Sequence, residues 1–137
     1  MQFHEISRLS DAMVVFDSSI IIDALRRKQV AIDLVESFSA KERIAVTVIS
    51  KYEILRGTKE KSVSLVSELL SQFITLDFED RAVTEVVKAY KKLKEKGKVV
   101  NELDLLIAGI VAANNETLIT RDRDFLNFES TKIIVLR

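Results

Sequence analysis

The sequence predicts an α/β fold, a three-layer α/β/α sandwich around a mainly parallel sheet of roughly five strands. Two observations carry that expectation. Short apolar runs, many of them β-branched, at Met13–Phe16, Ile44–Val48, Phe73–Leu76, Thr117–Thr120 and Lys132–Leu136, alternate with segments whose apolar residues recur at helical spacing. Strands separated by helices pair in parallel through right-handed crossovers. A third observation concerns function. Asp17 follows the first run and Asp122 the fourth, and open parallel sheets bind ligands beyond the carboxyl ends of their strands.

The elements follow in order. After Met13–Phe16, Asp17-Ser18-Ser19 ends the strand, and Ile20, Ile21, Ile22 and Leu25 begin a helix that Arg26-Arg27-Lys28 closes, cations suiting a helix C-terminus. Ile32, Leu34, Val35 and Phe38 mark a second helix. Ile44–Val48 is the second strand, and Ser50 to Thr58 is helical, stopped near Gly57. Val63, Val66, Leu69, Leu70 and Phe73 have helical spacing before the third strand. Val83, Val86, Val87, Tyr90 and Leu93 form one face of a long helix ending at Gly97, a C′ glycine. Leu103–Ala113 is apolar on nearly every side, which predicts a helix buried against the sheet or at a subunit interface.

Composition narrows the chemistry. The 137 residues predict one domain, 1–137, in which 1–12 is either an extension or a mis-assigned start before Met13. With no Cys and a single His, His4, thiolate chemistry and a His-rich zinc centre are excluded. No apolar run reaches the roughly 20 residues needed to span a bilayer, so no membrane association and a cytoplasmic location are expected. The 21 basic and 21 acidic residues cancel, so nothing attracts nucleic acid globally. A polyanion would be held by local cations and a bound metal.

Asp17, Glu53, Asp104 and Asp122 are the candidate site. Each has a structural reading of its own. Asp17 can cap the first helix, Ser50-x-x-Glu53 matches a capping box, Asp104 favours a helix dipole, and Asp122 or Asp124 can cap a short turn. Singly, capping is the commoner role. Together, four acids placed to open onto one sheet edge would repel one another unless a hard, oxygen-seeking cation compensates them.

The stretches Val15-Phe16-Asp17-Ser18-Ser19, Ser50-x-x-Glu53-x-x-x-Gly57, Asp104-Leu105-Leu106-Ile107-Ala108 and Leu118-Ile119-Thr120-Arg121-Asp122-Arg123-Asp124-Phe125 resemble the PIN domain, most closely the VapC-type toxin ribonucleases of toxin–antitoxin pairs. The likeness covers Met13 to Leu136. It implies an acidic quartet of Asp17, Glu53, Asp104 and Asp122, with Asp17 and Asp104 as the direct Mg²⁺ or Mn²⁺ ligands. Ser19 and Thr120 would be supporting hydroxyls and Asp124 a secondary acid. It further implies endonucleolytic RNA cleavage leaving a 3′-hydroxyl and a 5′-phosphate, a small antitoxin partner and a homodimer. The residue types suit metal-activated water, which needs neither a His base nor a Cys nucleophile. Asn101 and Glu102 before Asp104 are more polar than the family pattern.

Other classes fit less well. A haloacid-dehalogenase phosphatase needs a second Asp two residues after the first, where this chain has Ser19; a receiver domain needs paired acids after strand one and an acid after a central strand. An RNA-processing nuclease outside a toxin–antitoxin pair and a non-cutting PIN-like scaffold are the remaining alternatives. Arg121 and Arg123 are candidate phosphate binders, evenly balanced against pairing with the carboxylates. Lys88, Lys91, Lys92, Lys94, Lys96 and Lys98 read as a solvated face. Phe73, Phe78 and Tyr90 read as core, and His4 as incidental. The Leu103–Ala113 helix and the Val63, Val66, Leu70 stripe offer apolar surface for a homodimer.

Overall fold

In the computed structural model, which describes residues 13–39 and 43–137, five strands form one sheet in the order β3-β2-β1-β4-β5. The chain runs β1 (Val14–Phe16), α1 (Ser18–Leu25), α2 (Gln29–Ser39), β2 (Ile44–Thr47), α3 (Val48–Arg56) and α4 (Val63–Leu70). It continues through β3 (Ile74–Leu76), α5 (Asp80–Glu95), α6 (Glu102–Ala113), β4 (Thr117–Thr120), a 3₁₀ turn (Arg123–Asn127) and β5 (Lys132–Val135). Every strand pair is parallel. His4 and the rest of residues 1–12 lie outside the described residues.

Alternation along the strands sorts the core into two layers. Val14 and Phe16 of β1, with Ile44 and Val46 of β2 and Ile119 of β4, pack with Ile20, Leu34, Ile54 and Leu70 from the first four helices. Val15, Ala45 and Leu118 point the other way, to Val86, Leu93, Leu105, Ile107 and Ile110 of α5 and α6. The period of two therefore feeds both faces, as a doubly covered parallel sheet requires. The expected sandwich is the one observed.

Several details differ from expectation. The third helix starts at Val48, because Thr47, not Ser50, caps it: the Thr47 hydroxyl accepts the Ser50 amide at 3.0 Å. The capping box around Glu53 does not form. Asn101 caps α6, accepting from the amides of Leu103 and Asp104, and Asp104 stands in the first turn, where a negative charge suits the helix dipole as expected. Phe78 and Tyr90 are exposed rather than core, Tyr90 lying under Lys94 on the outer side of α5, whereas Phe73 is buried. The α6 helix is buried within the chain by α5, and Val66 and Leu70 are buried too, so neither offers spare surface for a dimer.

Gly97 adopts φ +67° past the end of α5, its amide bonding to the carbonyl of Lys94 and that of Lys98 to Leu93, the paired bonds of a Schellman cap. Gly109 has a different reason to be glycine. A Cβ there would come within 2.2 Å of Val86 Cγ2 and 3.1 Å of the Val86 nitrogen, so α5 and α6 touch backbone to backbone. Gly109→Ala should cost about 1–3 kcal/mol through overpacking and lower the melting temperature by at least a few degrees. An unchanged melting curve by circular dichroism would mean that the two helices separate freely.

Candidate active site

The strand order places the topological switch between β1 and β4, since the chain proceeds outward from β1 through β2 to β3 and then returns to β4 on the other side of β1. Asp17 stands at the end of β1 and Asp122 just after β4. Two hydroxyls join these ends. Thr120 Oγ1 donates to Asp17 Oδ2 at 2.5 Å and accepts the Asp122 amide at 3.0 Å. Ser19 Oγ donates to Asp17 Oδ1 at 2.5 Å and accepts the Arg121 amide at 3.1 Å. The Asp17 amide also donates to the Ile119 carbonyl. The carboxylate of Asp17 is thus fixed from both sides.

Asp17 both caps α1 and belongs to the cluster: Oδ1 accepts from the amides of Ser19 and Ile20. It is buried, and burial pushes its carboxyl above the usual range despite hydrogen bonds from Ser19, Thr120 and the backbone. Asp122 has a similar double place, its Oδ1 accepting the Asp124 amide at 2.9 Å as the cap of the 3₁₀ turn. Glu53, on α3, accepts a 3.3 Å hydrogen bond from Ser18 Oγ. Asp104 enters in the first turn of α6 and is half-buried.

Asp104 reports on the whole arrangement. Its pKa is pushed up to about 7, first by burial and then by the charges of Asp122, Glu53, Asp17 and Asp124. That order of neighbours means the four sequence-predicted acids, with Asp124 beyond them, share one region of the sheet edge. The donors are all hard oxygens, and their repulsion is the kind a divalent cation relieves, so the set fits Mg²⁺ or Mn²⁺. Among the described residues no three acids close into a ready-made metal cage. Mg²⁺ often takes only one or two direct carboxylates and fills the remainder with water, so this spacing is compatible with it.

Arg121 turns away from the quartet. Its Nη1 donates to Asp23 Oδ2 at 2.5 Å, and Lys28 Nζ lies 3.4 Å from Asp23 Oδ1. Burial alone would raise the carboxyl of Asp23, but Arg121 and Lys28 hold it below the ordinary value. Asp23 was not a sequence candidate. The available signal was an acid inside the apolar stretch Ile20-Ile21-Ile22-Asp23-Ala24-Leu25, where burial without a cationic partner would be costly. Arg123 and Asp124 are exposed on the 3₁₀ turn. Four of the lysines on and just after α5 lie against other groups: Lys92 and Lys96 pair with Glu129, Lys98 with Asn127 and Lys88 with Glu85.

A parallel five-stranded sheet with carboxylates gathered at its switch point defines an α/β protein with an acidic, oxygen-only site. A sequence model of the PIN domain matches residues 14–130, and the chain belongs to that family. Ribonuclease VapC1 of Methanocaldococcus jannaschii is 22% identical over 123 residues, covering 89% of this chain and 83% of that protein. Ribonuclease VapC3 of the same organism is 28% identical over 96 residues, covering 70% of this chain and 95% of that one. Among solved structures, VapBC2 from Rickettsia felis, bound to a DNA fragment from its promoter, superimposes with a TM-score of 0.81 at 21% identity, over 91% of this chain and 99% of that one. At that identity the structural likeness is one of fold.

Proposed function

We propose that this chain is a Mg²⁺- or Mn²⁺-dependent endoribonuclease and the toxin of a toxin–antitoxin pair. The observation that carries the proposal is the gathering of acids at the switch point, where Thr120 joins Asp17 to Asp122 and where Asp104 lies within reach of the charges of Asp122, Glu53, Asp17 and Asp124. A fold whose acids merely capped helices would not direct four of them at a fifth. The similarity to proteins named as ribonucleases supports RNA as substrate, and solved neighbours that are VapBC complexes support a small antitoxin partner.

In this reading Asp17 and Asp104 would hold the ion directly, and Glu53 and Asp122 would complete its surroundings. When bound, the cation neutralises charge on the scissile phosphate and lowers the pKa of an attacking water. Ser19 and Thr120 keep the Asp17 carboxylate in one orientation, and Ser18 steadies Glu53. Glu53 and Asp122 are the carboxylates available to accept the water's proton. Attack by a metal-activated water uses no protein nucleophile, so no covalent protein intermediate is expected.

A homodimer belongs to the same proposal, but on other surfaces than α6. Exposed apolar side chains include Leu25 of α1, Val30 of α2 and Leu65 of α4, and a recess lined by Ile21, Leu25, Ile32, Val35 and Leu69 lies between those helices. No helix among the described residues is long and apolar enough to cross a membrane.

The test is direct. Purified protein with Mg²⁺ or Mn²⁺ should cut single-stranded or structured RNA internally, leaving 5′-phosphate products, and EDTA should stop it. If a broad RNA panel stays intact while metal binding is demonstrated and no inhibitor copurifies, the protein is a binding scaffold instead.

A further inference from the structure

We infer that Arg121 and Lys28, held together by Asp23, form a subsite for a backbone phosphate of the substrate strand next to the acidic centre. The inference rests on the ribonuclease reading and goes beyond it, by assigning a direction to the bound strand. The geometry is that of a built cationic rim. Asp23 is only 7% exposed, yet its two oxygens face two cations, Arg121 at 2.5 Å and Lys28 at 3.4 Å. One carboxylate cannot neutralise both, so this rim keeps a surplus positive charge. The two cations are open to solvent, Arg121 with 44% and Lys28 with 54% of the side chain exposed.

The guanidinium suits a phosphate. It has five N–H donors, of which Asp23 takes one in the structure, and the remaining edge can make the forked contact that phosphate oxygens favour. Its root is fixed too, because the Arg121 amide donates to Ser19 Oγ, the same hydroxyl that donates to Asp17. Arg121 is therefore pre-oriented, which reduces the ordering cost of binding.

Position gives the direction. Asp17 caps the start of α1, Asp23 lies near its other end, and Arg26, Arg27 and Lys28 follow, with Arg26 and Arg27 exposed. From the cap to Asp23 the helix advances about 9 Å. A stacked strand advances about 3.4 Å per nucleotide. The phosphate on Arg121 would then lie roughly two or three nucleotides from the scissile one, with Lys28 beyond it. A fixed cation at this spot also answers a physical need, since four acids repel a polyanion and the net charge of the chain is zero. The lysines on and just after α5 answer it less well, because Lys88, Lys92 and Lys98 pair with Glu85, Glu129 and Asn127, none of which bonds to the acids.

Two measurements on Arg121→Gln, Lys28→Gln and a Lys91→Gln control test this. One is steady-state cleavage of a short single-stranded RNA with Mn²⁺. The other is the salt dependence of binding to the same labelled RNA in EDTA, read by fluorescence anisotropy. Arg121→Gln should raise KM about tenfold with kcat within about threefold of wild type. It should also make the slope of log K against log salt shallower by about 0.7, the loss of one phosphate contact. Lys28→Gln leaves Asp23 paired with Arg121 and should shift both readouts the same way by less, and Lys91→Gln should shift neither. Arg121→Lys should keep the salt slope and recover only part of the affinity, because charge survives and the fork does not. Wild-type KM and slope in both Arg121→Gln and Lys28→Gln would overturn the subsite. So would a fall in kcat at unchanged KM in Arg121→Gln, which would reduce Arg121 to a brace between α1 and the end of β4 through Asp23. If the wild type cuts no RNA, the ribonuclease reading fails by itself, while the anisotropy slope still decides whether the phosphate site exists.

Discussion

Asp17→Asn should abolish RNA cleavage while leaving the protein folded. Asparagine caps a helix about as well as aspartate, and its side-chain oxygen can still accept from the amides of Ser19 and Ile20. The melting temperature should therefore stay within a few degrees of wild type. Activity depends on the charge, since a cation is held by a carboxylate and not by a neutral amide, and Ser19 and Thr120 fix the Asp17 carboxylate at the switch point. Loss of an outer hydrogen-bonding partner of a metal site costs roughly 10–100-fold, so loss of a direct ligand should exceed that. Asp17→Ala should be equally inactive and less stable, because it also removes the cap. Glu53→Gln and Asp122→Asn should be damaging but less complete. A kcat for Asp17→Asn within tenfold of wild type, measured at saturating Mn²⁺, would mean that Asp17 is only a cap.

The sheet and its helices were legible in the sequence because their patterns are local. The unbroken apolar run Val14-Val15-Phe16, buried at every position on a doubly covered sheet, and the helical stripes of α1, α2 and α5 are written in consecutive residues. Three of the acids were legible for a related reason: Asp17 and Asp122 follow strands and Asp104 stands in the first turn of a helix, whereas Glu53 lies in the second turn of α3, not at its start as its spacing from Ser50 had suggested. What could not be read were choices between neighbouring polar residues. Thr47 and Ser50 both accept amide hydrogens, and the cap went to the one whose backbone is still extended, with φ −80° and ψ 155°. Asn101 took the cap of α6 in the same way and left Asp104 to the cluster. Long-range pairs were also hidden. Asp23 and Arg121 are 98 positions apart, and only the meeting of α1 with the end of β4 joins them. The apolar content of α6 foretold its burial, but not that Gly109 lets α5 approach to backbone contact.

Asp104→Asn should be inactive yet, in EDTA above neutral pH, at least as stable as wild type. The sign follows from the carboxyl pKa, which is 3.8 ordinarily and about 7 in the fold. Below pH 3.8 the group is protonated in both folded and unfolded chains and contributes nothing. Between 3.8 and about 7 the unfolded chain gives up its proton while the folded protein retains it, so stability falls as pH rises through that window. Above about 7 the penalty is fully developed. Asp104 is only half-buried, so solvent screening reduces the penalty to roughly 1–2 kcal/mol. Against it stands the favourable placement of a negative charge in the first turn of α6, worth about 0.3–1 kcal/mol. The repulsion is the larger of the two, so at pH 8 Asp104→Asn should melt level with wild type or up to several degrees above it. At pH 4 the difference should vanish. Adding Mn²⁺ at a hundredfold excess over its Kd should then stabilise wild type by roughly 2.7 kcal/mol and reverse the order, because the variant has lost a ligand. Melting of Asp104→Asn several degrees below wild type in EDTA at pH 8 would show that the acids do not repel one another, and the metal-site reading would go with it.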